Sequence, residues 1–234
     1  MRVQAHGVTF DYGAGAFALA VDALDLPAQS ATAIVGSSGS GKSTLLLLLA
    51  GILAPHTGSI LQDGVDLGAL GPRAVRRLRL ARVGLVFQDF ELAQHLTALE
   101  NMLVAYDLGG LSGRASARAR AHDLAARCGV APLLSRLPAR LSHGERQRIA
   151  VCRALVTGPA LVLADEPTAS LDDTSARSVV ALLTDEAARV GATLVVATHD
   201  PRALERLPAR VAMDAFAPAR RPDAKACAPD GIAR

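Results

Sequence analysis

Gly36-Ser37-Ser38-Gly39-Ser40-Gly41-Lys42-Ser43-Thr44 has the form G-x-x-x-x-G-K-[ST], a phosphate-binding loop. Its neighbours supply the required context. Ala31-Thr32-Ala33-Ile34-Val35 reads as a short buried strand entering the loop, and Thr44 to Ala50 as a helix leaving it. The glycines let backbone N–H groups turn inward around a β-phosphate with no Cβ in the way. The helix N-terminus adds unpaired donors and a positive dipole end. Lys42 can reach the β- and γ-phosphates, and the Ser43 hydroxyl is placed for Mg²⁺. The full motif in this context displaces the plainer reading of a glycine-rich turn with a chance lysine.

The bulk numbers agree with a packed enzyme-sized domain. The chain has 234 residues, half of them apolar, enough for one large domain or two small lobes around a real core. A formal charge of +3 is too small to argue for nucleic acid by itself. Cys128, Cys152 and Cys227 have no metal-like spacing, give no disulfide framework and fit a reducing cytosol. The start, Met1-Arg2-Val3-Gln4-Ala5-His6, lacks the apolar segment of a secretory signal. The longest apolar run, Leu45 to Ala54, is broken by Gly51 and too short to span a bilayer. A soluble chain is expected, one that needs another subunit for any work across a membrane.

Along the chain, Val3 to Tyr12 and Phe17 to Leu26 read as β segments around a Gly13-Ala14-Gly15 turn. Asp63-Gly64 signals a hairpin, and Gly71 to Ala81 a basic helix with Pro72 near its start. Val83 to Phe87 is a buried strand. From about Asp89 to Thr157 the pattern is helical. It includes a capping box at Thr97-Ala98-Leu99-Glu100 and an Ala/Arg-rich helix from Arg114 to Cys128. Leu161 to Ala164 and Thr193 to Ala197 are strand-length apolar runs with a helix, Ser175 to Ala188, between them. Strand–helix–strand implies a parallel sheet with functional groups at the carboxyl ends of its strands. The Pro-, Ala- and Arg-rich residues after about Ala215 read as a poorly ordered tail.

Three further places carry chemistry. Asp165-Glu166 directly follows the run Leu161 to Ala164; at a strand end near a phosphate loop, Asp165 suits Mg²⁺ and Glu166 suits the attacking water. His199 follows the next strand in Ala197-Thr198-His199-Asp200 and could contact a γ-phosphate. Leu141-Ser142-His143-Gly144-Glu145 opens a helix. Ser142 and Glu145 form S-x-x-E, a capping box, yet a helix N-terminus with serine and glycine is also an anion site. Both readings hold together only if Ser142 can release its capping bond when a phosphate arrives.

Together these elements resemble the nucleotide-binding subunit of an ATP-binding cassette (ABC) transporter. The resemblance covers roughly Val3 to Asp214, with the motifs in family order. Gly36 to Thr44 is similar to Walker A. Val86-Phe87-Gln88-Asp89 is similar to the Q-loop, with Gln88 its glutamine. Leu141 to Glu145 resembles the LSGGQ signature, although His143 replaces the first signature glycine and Glu145 the glutamine; Gly144 is retained. Leu163 to Thr168 resembles Walker B, Ala169-Ser170-Leu171-Asp172 the D-loop and His199 the switch histidine. Tyr12 resembles the aromatic residue that stacks on adenine. The resemblance implies an α/β fold. Its parts would be a P-loop NTPase (RecA-like) core with a mainly parallel sheet, an antiparallel β subdomain and an inserted α-helical signature subdomain. One domain would span 1–215, with the RecA-like and β lobes at about 1–88 and 158–215 and the helical subdomain at about 89–157. A flexible tail would follow over 216–234.

The implied activity is ATP hydrolysis, with ATP and Mg²⁺ as cofactors. Catalysis would fall to Glu166, His199 and Gln88. Nucleotide contacts would come from Tyr12, Gly36, Ser37, Ser38, Gly39, Ser40, Gly41, Lys42, Ser43 and Thr44. The metal would be held by Ser43, Gln88 and Asp165. Ser142, His143, Gly144 and Glu145 would act in trans, with Asp172 in the D-loop, so two cassettes, identical or paralogous, would hold two ATP between them. An integral-membrane permease would dock beside Gln88, over Asp89 to Asn101, placing the subunit on the cytoplasmic face of the membrane. Changes across Phe90 to Leu96 are expected to spare basal hydrolysis and uncouple the permease. Within the family, Phe90 to Asn101 looks most like the lipoprotein-release and macrolide-export group. A cell-division-type ATPase that regulates a membrane partner without transport is an alternative. So is a non-transport cassette protein acting on DNA or ribosomes, although those usually carry two cassettes or a long coiled coil. No nucleic-acid partner is expected.

Overall fold

The computed structural model describes residues 1–13 and 18–216. Ala14 and Gly15 of the first expected turn, Phe17 at the start of the second expected β segment, Cys227 and the expected tail beyond Phe216 lie outside those residues.

Two sheets and a helical layer organise the chain. β1 (Val3–Asp11), β2 (Ala18–Leu26), β4 (Thr57–Gln62) and β5 (Val65–Asp66) form an antiparallel sheet in the order β2-β1-β4-β5. The second sheet has the order β6-β7-β8-β3-β9, and all its pairings are parallel. Its strands are β3 (Ala31–Val35), β6 (Val83–Val86), β7 (Leu161–Asp165), β8 (Thr193–Ala197) and β9 (Ala209–Ala212). The three central strands β7, β8 and β3 are apolar on both faces because both faces are covered. Leu161, Leu163, Val195, Ala197 and Ile34 point to one core, shared with the antiparallel sheet and α1 (Lys42–Leu49). Val162, Ala164, Leu194, Val196 and Ala33 point to the other core, shared with the helices. The strict alternation is the period of two that an extended chain imposes.

Helix α1 needs that burial. It is almost all leucine, with Leu45, Leu48 and Leu49 fully buried, each contributing roughly 1.5–3 kcal/mol. Gln62, also buried, donates from Nε2 to the Leu49 carbonyl at 2.8 Å, so the end of α1 keeps a partner.

The helical layer contains α3 (Ala98–Gly109), α4 (Arg114–Arg127) and α5 (His143–Leu155). Thr97 and Glu100 make the expected capping box at the start of α3. The basic helix α2 (Pro72–Arg82) contains no buried residue and leads directly into β6. Helix α6 (Asp173–Arg189) provides the crossover between β7 and β8. Two elements had no clear sequence signal. These are the short helix α7 (Pro201–Leu204) and the edge strand β9, whose exposed residues around Arg210 lack an apolar run.

Phe90 and Leu92 are buried in the helical core, so Phe90 to Leu96 is not a uniformly exposed partner face. Phe90 and Glu91 turn the chain at φ of +63° and +49°. Arg153 of α5 holds that turn by donating to the Phe90 carbonyl at 2.7 Å and to the Glu91 carbonyl. Asn101 is likewise buried and spends its amide on the backbone of Ala93, Leu96 and Thr97. The exposed residues of Phe90 to Leu96 are Glu91, Gln94 and His95.

Gly84 of β6 marks the closest approach between sheet and helical layer. A Cβ there would fall on the Ala154 carbonyl of α5, a backbone atom that cannot swing away. Gly84→Ala is therefore expected to cost about 1–3 kcal/mol or more. Urea unfolding of the two proteins at neutral pH checks it.

Candidate functional site

Pairing across the parallel sheet sets Ile34 beside Ala197 and Ala197 beside Asp165. The three central strands thus end at one level, and the residues that follow them share a cleft of about 430 Å³. After β3, the loop Gly36–Gly41 winds into α1. Gly41 at its end has φ +97°, a left-handed conformation that a side chain would strain. Lys42 is 7 % exposed and donates to the Gly36 and Ser37 carbonyls at 2.9 and 3.1 Å. The cleft is lined by Tyr12, Ser38, Gly39, Gly41, Lys42, Ser43, Thr44, Gln88, Glu166 and His199. Its volume lies within the range of small-molecule sites.

After β7, Asp165 and Glu166 diverge. Asp165 is mostly buried, and burial pushes its carboxyl above the usual carboxylate range. The Ser43 hydroxyl pulls it back, the Glu166 charge pushes it up further and Lys42 lowers it. Its Oδ1 is buried with no hydrogen-bond partner. Glu166 sits at φ +42°, rare for a residue with a side chain. Its N–H donates to the Ala197 carbonyl at 2.8 Å, which fixes the strained turn against β8. The Glu166 Oε1 then lies 2.9 Å from His199 Nδ1 and 3.4 Å from Lys42 Nζ. One carboxylate oxygen thus joins the ends of all three strands. His199 itself is exposed.

Tyr12 stands at the open side of the cleft. Its ring is 55 % exposed, packs edge-on against Phe10 with centroids 4.9 Å apart, and its hydroxyl lies 3.2 Å from Thr44 Oγ1. An exposed ring fixed at its edge leaves a face free for stacking.

The Ser142–Glu145 group does not line this cleft. Ser142 caps α5, with the Glu145 N–H 3.3 Å from its Oγ, while the Glu145 carboxylate accepts from the Ser142 N–H at 2.7 Å. That bond, first among the causes, holds the Glu145 carboxyl below its usual value. The carboxylate is thus folded back onto its own helix end. His143 does not point into open space. Its ring packs edge-on against Phe90 at 4.6 Å, and Nε2 lies 3.4 Å from the Ala169 carbonyl. Asp172 caps α6 through the Ser175 N–H at 2.9 Å.

Three positioning contacts carry no local sequence signal. Arg146 lies over the Phe90 ring at 5.7 Å. Gln147, fully buried, donates from Nε2 to the Pro167 carbonyl at 2.7 Å and ties α5 to the loop after Glu166. Arg202 brackets Asp200 with Nε and Nη2 and reaches Asp173 at 2.7 Å and the Leu171 carbonyl at 3.3 Å. It therefore couples the residue after His199 to the loop before α6. Each is a contact between distant parts of the chain, which pattern reading along the sequence does not reach.

Arg202, through hydrogen bonding first, holds the Asp200 carboxyl down at about 2. A depressed carboxyl contributes stability that is complete above its unfolded value near 4 and lost as pH falls through about 2. Arg202→Ala is expected to destabilise the fold at pH 7, because it leaves a buried carboxylate without its cation. The difference from the parent should vanish as the pH is lowered to 2 and below. Denaturant unfolding across that range checks the sign.

Comparison with known proteins places this geometry. A family model described as ABC transporter matches residues 20–169. An uncharacterized ABC transporter ATP-binding protein of Mycobacterium tuberculosis strain H37Rv is 42% identical over 211 residues, 86% of this chain and 63% of that protein. The chain thus spans less than two thirds of that relative's length. A lipoprotein-releasing system ATP-binding protein, LolD, of Chromohalobacter salexigens is 42% identical, covering 76% of this chain and 75% of its own. Among solved structures, the dimeric bacterial ABC transporter cassette MJ0796 superposes with a TM-score of 0.80 at 29% identity, over 90% of this chain and 93% of that one. A dimeric post-hydrolysis state of the same cassette, bound to ADP and Pi, gives 0.77.

Proposed function

The chain belongs to the ABC transporter ATP-binding family, and from that premise we propose that it is an ATP-hydrolysing subunit. Two cassettes close around two ATP molecules and drive a membrane permease. The observation that carries the reading is the convergence of Lys42, Glu166 and His199 on one cleft behind a phosphate-binding loop.

The roles follow from the geometry. The loop N–H groups and the dipole of α1 bind the phosphates, and Tyr12 stacks on the base. Lys42 exchanges its Glu166 contact for phosphate oxygens, since both are anionic and in reach. Glu166 is then free to accept a proton from the attacking water, held in orientation by His199. Ser43, Asp165 and Gln88 would hold Mg²⁺. The fit rests on the buried, unpartnered Oδ1 of Asp165 beside the Ser43 hydroxyl, an acceptor pair that suits a hard cation. When bound, that ion neutralises charge on the phosphates.

The second cassette is argued from Gly144. A glycine in the first turn of α5 weakens the helix, yet a Cβ there would meet only Ser175 Oγ at 3.8 Å, an ordinary contact. Among the described residues no contact requires glycine at that place. Close approach of a phosphate held by another subunit does. His143 and Arg146, on the Phe90 side of α5, tie this helix end to the segment after Gln88.

The permease helix fits the groove between α2 and α3, about 180 Å³, bordered by Leu80, Phe87, Val104 and Leu108, the last 67% exposed. Among the described residues no helix is long and apolar enough to cross a membrane, so the crossing falls to that partner. The subunit then works at the inner face of the membrane. The LolD relatives, 41–42% identical, support lipoprotein release as the type of system.

Glu166→Gln is expected to keep ATP binding and lose roughly two to four orders of magnitude in turnover, while accumulating an ATP-dependent dimer on size-exclusion chromatography. A variant that remains monomeric at saturating ATP would sink the two-cassette model. Lys42→Ala should abolish both dimer and hydrolysis.

Gly144→Asp separates fold from interface. A carboxylate in the first turn of α5 should leave the monomer as stable or more so, by about 0.3–1 kcal/mol. The same charge faces the partner's phosphates, so dimerisation in the Glu166→Gln background should be lost. Unfolding and chromatography of the same preparation read the two effects.

A further inference from the structure

Helix α2 carries Arg73, Arg76, Arg77, Arg79 and Arg82 within its 11 residues and no acidic residue. The core does not explain them, since no residue of α2 is buried. Two are accounted for: Arg82 pairs with Asp63 at 2.7 Å, and Arg79 donates to the Gly51 carbonyl at 2.7 Å. Arg73, Arg76 and Arg77 are exposed and share one helix face by their i, i+3, i+4 spacing. Among the described residues none of the three has an acidic partner within ion-pair distance. Asp63 also accepts from the Arg2 N–H at 2.8 Å, Asp66 accepts from the Gly68 N–H at 2.9 Å, and Asp107 pairs with Arg114. Partial burial first, and then the charge of Arg76, depresses the Arg79 guanidinium.

The patch is continuous with the α2–α3 groove, since Arg79 and Leu80 of the same helix border it. Under the function proposed above, that groove meets the permease, so α2 lies against the bilayer surface. The placement of the patch rests on that reading. Guanidinium forks match phosphate oxygens in charge and geometry. A one-sided row of cations without an apolar anchor suits a dense field of phosphates.

We propose that Arg73, Arg76 and Arg77 bind the phosphates of anionic phospholipid headgroups and hold the subunit on the membrane surface beside its permease.

The test is co-sedimentation of the purified full chain, without permease, with vesicles of phosphatidylcholine alone or mixed with phosphatidylglycerol. Binding is expected only to the anionic vesicles and should fall with salt. The R73Q/R76Q/R77Q protein should bind on the order of a hundred-fold more weakly, about five-fold per arginine. A control, R118Q/R177Q/R206Q, removes three exposed arginines from α4, α6 and the segment after α7 and should bind as the parent does. Equal loss in both triple variants would mean that net charge alone governs binding, which overturns the assignment to α2. Absence of salt-sensitive binding by the parent overturns the proposal outright. If the α2 variant then also fails to co-purify with the permease, the face belongs to protein. ATP-dependent dimerisation in the Glu166→Gln background, measured on the same α2 variant, reports separately on the cassette reading.

Discussion

Everything at the candidate site depends on the register of one parallel ladder. Ile34, Ala197 and Asp165 stand side by side, so three loops from distant parts of the chain start at one edge. A parallel sheet sends all its strands the same way, which gathers their carboxyl ends and whatever follows them. Glu166 shows the consequence. Its backbone is held in a strained conformation by a bond to the Ala197 carbonyl, and its side chain meets a histidine from β8 and a lysine from α1. A slip of one residue along the ladder would turn Asp165 and every apolar neighbour to the opposite face. The two cores, each reading alternate residues of the same strands, prevent that slip.

The helical layer is tied to this edge by few but buried contacts. Gln147 binds the Pro167 carbonyl, His143 reaches Ala169 and packs on Phe90, and Arg153 holds the turn after Gln88. A change at the catalytic edge therefore has a physical route to the α2–α3 groove through Pro167, α5 and Phe90. The capping box at Ser142 folds the Glu145 carboxylate back onto α5. The carboxylate is satisfied by its own helix end, where the dipole favours it, and the approach over Gly144 is left clear.

Local pattern was enough for much of this. The limits of β3, α4 and the capping boxes at Thr97 and Ser142 follow from runs and spacings that act within a few residues. The phosphate loop is legible for the same reason, since glycine, lysine and serine at fixed offsets form one continuous turn. The burial of Phe90 and Leu92 was not legible in the sequence because an irregular segment has no period to show which side is buried. Its two positive-φ residues reverse the chain, and only the helices it packs on decide that Phe90 and Leu92 go inside.

By itself the sequence determined most of the elements, the phosphate loop, the acidic pair, the histidine and the family they resemble, because each is written in contiguous residues. Tertiary structure alone decided the rest. The sharing of one Glu166 oxygen by Lys42 and His199 and the reach of Arg202 to Asp173 and the Leu171 carbonyl join residues far apart in the chain. So does the packing of His143 on Phe90. Such contacts are fixed by how sheets and helices pack, and packing depends on the whole apolar pattern at once rather than on any short stretch of it.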